Sequence, residues 1–298
     1  MGIKTQFSIK DLEHLSGIKA HTIRIWEKRY NLLEPDRTNT NIRYYDLENL
    51  MKLLNVTYLY NHGYKISKIA CLKSKEIKNI IEESGLHDSK EVFALSELKS
   101  AMLHFDPQLF QSTFENLEKQ YNFRQIFFHV FLPLLNDIGL LWQTGTIDPS
   151  HERFISELIK QKIIVQIENK FSTQPTKTEK LFVLFLPLDE IHEIGLLYVN
   201  YELLNKGYKT IFLGNNIPTK NLQHLLNHHD NIVFVSYLTV QPENENITTF
   251  IQELYETTCK NNSNEVWLFG SKLINQPTED YPKPFKVFKG LSDFIEAI

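Results

Sequence analysis

The chain has 298 residues, 42% of them hydrophobic, two cysteines and a formal net charge of −4. That length supplies cores for two or three domains. No apolar run reaches the roughly eighteen residues of a membrane span, and the opening MGIKTQFSIKDLEHL has no secretory core, so membrane and secreted classes are excluded and a soluble cytoplasmic protein is expected.

Cys71 and Cys259 stand 188 residues apart without a CxxC spacing, which points to reduced, structural thiols. The charge is unevenly spread. Residues 1–75 hold thirteen Lys and Arg against seven Asp and Glu, a surplus of six, and the remainder carries −10. A basic head on an acidic body suits a polyanion partner at one end only.

Residues 7–15 read as a short helix capped by Ser8, Ser16-Gly17 as a turn, and residues 19–29 as a second helix, together a helix-turn-helix. The exposed face of that second helix offers His21, Thr22, Arg24 and Lys28, donor types that read base edges and phosphates. Trp26, in the middle of a short helix, is expected in the core. Pro35 and the polar run 36–41 make a turn between two extended pieces, a wing, and Asp46 caps a third helix.

The pattern TIRIWEKRYNLLEPDRTNTNIRYY resembles the MerR family of transcription regulators, and the likeness covers about the first 73 residues. It implies a winged helix-turn-helix domain over residues 1–75, double-stranded operator DNA as partner, and contacts from Thr22 and Arg24 on the helix and Arg37, Arg43 and Tyr44 on the wing. Asn31 and Asn41 stand where the family usually has glycine. Asparagine tolerates a left-handed backbone, so both turns should survive.

Residues 74–90 are charged and poor in aromatics, a connection. Residues 91–172 are helical by period: Val92, Leu95, Leu98 and Met102 keep 3/4 spacing, Asp106-Pro107 starts a second helix, and residues 123–139 and 149–171 supply two more. Four such helices make a bundle. Within it GLLWQTGTIDPSHERFISELI resembles the helical cap over cobalamin in light-sensing members of the same family, which implies cofactor contacts from Trp142 and Glu152. The family's next residue is a histidine that becomes a cobalt ligand, and here it is Arg153. A guanidinium keeps its proton and has no lone pair to give, which argues against the family's light-driven ligand switch. His151 lies about 200° away around the helix and reads as an exposed helix-start residue, or as one that reaches inward if the first turn unwinds.

Residues 172–180 read as a polar linker. After them LFVLFLPL, without alternation, reads as a strand buried on both faces, followed by an acidic loop with His192 and by Gly195 opening a helix. Further strands fall at 208–213, 232–238, 266–269 and 285–288, with helices including 191–205 and 246–258: a doubly wound parallel sheet over residues 180–298. Glu190, His192 and Gly195 form ExHxxG, Ser236 and Leu238 form SxL, and Gly270 follows a later strand. This looks like the cobalamin-binding module of the methionine synthase type. The resemblance implies His192 as lower ligand to cobalt, a carboxylate such as Glu190 orienting its ring, and room for the cofactor's tail at Gly195, Ser236 and Gly270, with Ser271 where relatives mostly have a second glycine. His224, His228 and His229 read as a solvated helix end.

The expected whole is a multidomain α and α/β protein: winged helix-turn-helix, four-helix bundle, doubly wound cobalamin-binding domain. Its expected role is a one-component DNA-binding regulator, at least a dimer, controlled by cobalamin as adenosylcobalamin or another corrinoid form. No catalytic constellation is evident. The alternatives are a regulator that has lost cobalamin and answers to another ligand or protein, and a corrinoid carrier for a methyltransferase, which has no use for a DNA-binding head.

Overall fold

A computed structural model describes residues 6–61, 63–72, 76–77, 80, 87–143, 145–171, 174–243, 246–274 and 281–298. They fall into two compact units, Met1–Ile159 and Lys160–Ile298, and the division lies inside the helix Pro149–Phe171.

The first unit opens with α1 (Ile9–Ser16) and α2 (Ala20–Tyr30). Ser8 stands outside α1 as its cap: Asp11 N–H donates to Ser8 Oγ at 3.2 Å, and Ser8 N–H donates to Asp11 Oδ2 at 2.7 Å. Lys19, at the head of α2, has no acceptor to offer. Glu13 of α1 fills the gap, accepting from Ala20 N–H at 3.1 Å and pairing with the Lys19 ammonium at 3.1 Å. Asn31 and Asn41 both adopt left-handed φ, 50° and 66°, and the turns they make survive the missing glycines.

The wing is an antiparallel pair, β1 (Asp36–Arg37) with β2 (Arg43–Tyr44), extended by a bridge between Phe7 and Tyr45. Asp46 then caps α3 (Leu47–Asn61), accepting from Asn49 N–H at 2.8 Å. Ile23, Trp26, Tyr45, Leu50 and Leu53 are buried. Trp26 meets Tyr60 edge-on at 4.8 Å and belongs to the core, as its place in a short helix suggested. Contacts between this head and the bundle include Tyr58 with Phe93 at 5.9 Å and His14 Nδ1, which lies 3.3 Å from Thr146 Oγ1.

The bundle comprises His87–His104, Pro107–Glu118 capped by Asp106, a helix from Phe123 to Gln143, and Pro149–Phe171. The third helix contains a π turn, Phe127–Phe131. Pro133 has no N–H to give the carbonyl four residues back, and its ring crowds that carbonyl, so the helix widens just before it. Phe110, Phe114, Phe123 and Phe131 pack together in the bundle core.

The second unit is a five-stranded parallel sheet: β3 (Lys177–Phe185), β4 (Tyr208–Gly214), β5 (Ile232–Tyr237), β6 (Glu265–Phe269) and β7 (Phe285–Phe288), in the order β4-β3-β5-β6-β7. The helix Ile247–Thr258 packs its Ile247, Phe250 and Leu254 with Val183, Phe234 and Leu268 on one face. Helices Ile194–Asn205 and Leu291–Ala297 belong to the other. Two expected boundaries move. The stretch read as a linker, 172–180, already contains β3 from Lys177, because the Thr176 and Lys177 amides both donate to the Gly207 carbonyl, at 3.0 and 2.9 Å. The helix read from 191 begins at Ile194, because the amides of Ile191 and His192 are taken by a side chain.

Strand order makes β3 and β5 the switch point, where the chain departs to opposite sides of the sheet. A crevice between their carboxyl ends is where doubly wound sheets place ligands. At the opposite end, Glu265 takes hydrogen bonds from Lys180, Lys286 and Trp267. Burial opposes its charge, but these donors hold its carboxyl at about 2.

Removing the α1 cap by Ser8→Ala is expected to lower the unfolding free energy of the N-terminal head by about 1 kcal/mol, measured by denaturant titration, and to speed amide exchange at Asp11.

Candidate functional site

The centre of the second unit's carboxyl edge is Glu190, which is fully buried. Its Oε1 accepts from the amides of Ile191 and His192, at 3.0 and 3.1 Å, and from His192 Nδ1 at 2.5 Å. Its Oε2 accepts from Thr239 N–H (3.1 Å), Thr239 Oγ1 (3.0 Å), Val240 N–H (2.8 Å) and Gln241 N–H (2.9 Å). Three successive amides form an anion-binding nest, and the chain's own carboxylate fills it. Glu190 thereby joins the loop after β3 to the loop after β5 across the switch point.

Burial works against the charge on Glu190. The hydrogen bonds from the His192 ring and from the amides of Gln241, Val240 and His192 outweigh it, and the carboxyl is held far below the usual carboxylate range. A carboxylate only accepts, so His192 Nδ1 is the donor in this pair, on a side chain that is 46% exposed. This is the arrangement of a metal-ligating histidine with a carboxylate behind it. Of the three carboxylates near His192 in sequence, only Glu190 takes this place. Glu193 pairs with Lys160 at 2.5 Å, and Asp189 turns the loop at φ 62°.

Gly195, Ser236, Leu238 and Gly270 gather at the same edge, but not as an open slot. A Cβ on Gly195 would come within 2.6 Å of Tyr237 Cε1, so the space at this glycine holds the Tyr237 ring. A Cβ on Gly270 would lie 2.2 Å from the Leu238 carbonyl oxygen. The room expected for a cofactor tail at these glycines is therefore taken by the chain, and that expectation is corrected. Leu238 is buried in the core cluster and faces the edge through its backbone alone. Ser236 is buried, and its hydroxyl has no hydrogen-bond partner among the described residues.

In the first unit, His21, Arg24 and Lys28 are exposed on α2, with Thr22 partly covered. Arg37 is exposed on the wing and donates to Asn41 Oδ1 at 2.6 Å, while Tyr44 is half-buried. Arg43 is held differently: its Nε donates to Glu27 Oε1 at 2.9 Å, while Tyr45 Oη donates to Glu27 Oε2 at 2.9 Å. Burial, then the Glu27 carboxylate, pushes the Tyr45 phenol up. Glu27 thus fastens the wing to α2.

Trp142 lies on the helix Leu132–Gln143 with its side chain outside the described residues, and Glu152 is half-buried. Arg153 is exposed. His151 is not the exposed residue expected: it is 1% exposed, stacked on Phe105 at 4.7 Å, and its Nδ1 accepts from Asp148 N–H at 3.2 Å. The ring thereby ties the first turn of its helix to the residue before it. Burial holds it below the ordinary histidine value.

Three features had weak signals or none in the sequence. Glu27 lies inside RIWEKRY beside the more conspicuous Trp26. The amides of Thr239, Val240 and Gln241 leave no trace in residue type. Tyr237, the middle residue of SxL, is visible only once β5 and β6 pair it with Phe269.

Among the described residues no group of three or more His, Cys, Asp or Glu could hold a metal ion by itself, and no helix is long and apolar enough to cross a membrane.

Residues 7–76 match the family model of the MerR HTH family regulatory protein, and residues 94–165 match the B12 binding domain. The chain is 25% identical over 222 residues to the HTH-type transcriptional repressor CarH of Myxococcus xanthus, covering 72% of this chain and 73% of that one. It is 28% identical over 220 residues to the repressor CarA of the same organism, covering 72% and 70%. The monomethylamine corrinoid protein of Methanosarcina barkeri shares the fold, with a TM-score of 0.56 at 13% identity over 69% of this chain and 96% of that one.

Replacing Glu190 by Gln should cost about 3 kcal/mol at neutral pH, the order expected when buried donors lose a charged acceptor. The native carboxyl is depressed, so its contribution is complete above the ordinary 4.5 and is lost as pH falls toward the folded value. Urea unfolding of both chains at several pH values should show the gap constant above 4.5 and narrowing below it. A gap that ignores pH would mean that Glu190 is not ionised.

Proposed function

We propose, for a chain that joins a MerR-type helix-turn-helix domain to a B12 binding domain, that it is a one-component transcription regulator, not an enzyme, whose hold on operator DNA is set by a corrinoid ligated through His192. The observation that carries this reading is the ionised, fully buried Glu190 holding the proton on His192 Nδ1. One oxygen of that carboxylate closes the nest of Thr239, Val240 and Gln241 amides, and the other orients the imidazole. A bound corrinoid would supply a cobalt centre that takes nitrogen donors, and His192, oriented by Glu190, would be the donor that this chain offers it.

The chain's own residues divide the work. Glu190 orients His192 and joins two loops, so any shift of the ring is felt in the loop at Thr239–Gln241. Trp142 and Glu152 are proposed as further cofactor contacts. On the head, Arg24, His21, Thr22 and Lys28 enter the major groove. Arg37 and Tyr44 serve the wing, and Arg43, engaged by Glu27, sets its angle. Control is a population shift: the ligand favours one oligomer, at least a dimer, and only some arrangements place two heads on successive half-sites. Arg153, lacking a lone pair, offers no upper ligand.

The contact of Tyr237 with Gly195 favours a second reading, a regulator that answers to another ligand. The visible absorption spectrum decides between them. Purified protein incubated with several corrinoids and freed of unbound ligand should keep one, with a spectrum that changes in His192→Ala. No retained corrinoid of any form would leave the second reading.

In DNA binding, Arg24→Ala should weaken operator affinity by about tenfold and relax preference at one base pair, whereas Lys28→Ala should weaken all sequences alike and flatten the salt dependence. Gel-shift titrations on operator and scrambled duplexes at two salt concentrations test this.

A further inference from the structure

A histidine that takes the lower position on cobalt displaces the corrinoid's own base. That base hangs from the lower face of the ring, the face His192 would meet, so its nucleotide tail has to descend beside His192. Gly195 is three residues on, at the start of the helix Ile194–Asn205. There the way is blocked. The Tyr237 ring lies against the glycine, and a single Cβ would already collide with it at 2.6 Å. Tyr237 in turn stacks on Phe269, centroids 4.7 Å apart and planes 20° apart, and Phe269 packs on Phe294 at 4.8 Å. Tyr237 and Phe269 are register partners on β5 and β6, so the row is built on neighbouring strands rather than on a loop. It runs from the head of one helix to the helix Leu291–Ala297.

The His192 side of the site and the tail side therefore disagree. The first has the carboxylate and oriented ring of a metal ligand. The second is filled by an aromatic row that gains its stability from mutual packing.

Resting on the corrinoid reading above, we propose that Tyr237 is a specificity-determining residue: it lets a corrin ring settle on His192 but keeps out the base-bearing tail, so that the chain favours a tail-less corrinoid over complete cobalamin. The selectivity is steric. A ring held between a glycine and a phenylalanine leaves only by breaking its stack, and a ligand without a tail has no need to move it.

The test uses the full chain with two probes, cobinamide, which lacks the nucleotide tail, and aquocobalamin, which carries it. Binding is read by isothermal titration and by the visible spectrum. The native chain should bind cobinamide at least about tenfold more tightly. Tyr237→Ala should raise cobalamin affinity by about tenfold or more while cobinamide affinity stays within about threefold. Tyr237→Phe, which keeps the ring, should retain the native preference. Should the alanine variant fail to fold, Tyr237→Leu, which keeps bulk without the flat ring, decides the same question. Equal affinity of the native chain for the two probes, or an unchanged ratio in a folded alanine or leucine variant, overturns the proposal. Failure of native and variant chains to bind either probe overturns the corrinoid reading itself.

Discussion

A carboxylate with no access to water organises the second unit. Glu190 sits between two loops that leave adjacent strands in opposite directions, and it takes donors from both. An unpaired charge at such a depth would be ruinous, so each hydrogen bond is a condition of the fold. The sheet order creates the crevice, and the carboxylate decides how its two lips are held. His192 follows from that decision, since its Nδ1 faces the Glu190 carboxylate.

The head uses the same device in milder form. Glu27, on the flank of α2, takes Arg43 and Tyr45 from the strand side and so fixes the wing against the helix that it accompanies. In each case a glutamate holds side chains from a neighbouring strand or loop in one direction. Arg43 shows the cost of reading a surface from residue types: its donor count suits a phosphate, yet part of its guanidinium is already committed. Glu13, bridging α1 to the uncapped start of α2, is a third instance of a carboxylate standing in for a missing local partner.

Much of this was legible in the sequence because it rests on local chemistry. Ser8, Asp46 and Asp106 announce helix starts through their side chains, Asn31 and Asn41 tolerate the turns they occupy, and the unbroken apolar run from Leu181 marks a strand covered on both sides. What was hidden depends on partners distant in the chain. Lys177 looks like linker until Gly207 is placed beside it. His151 looks exposed until Phe105 covers it. Gly195 reads as vacant space, since a glycine says that something comes close and leaves unsaid whether that something is a ligand or a tyrosine.

The π turn at Phe127–Phe131 has a bearing on how such chains diverge. A π turn holds one residue more than the α-helical turn it replaces, and one residue is about 100° of rotation. Counted at about 100° per residue, Leu134, Ile138 and Leu141 beyond it nonetheless fall on the same stripe as Phe123, Phe127 and Val130. The apolar face therefore runs straight through the widened turn, which answers to Pro133 and not to a change of face. Related chains without a proline at this point have no need of the wider turn, and a change there is felt in the backbone ladder before it is felt in the core.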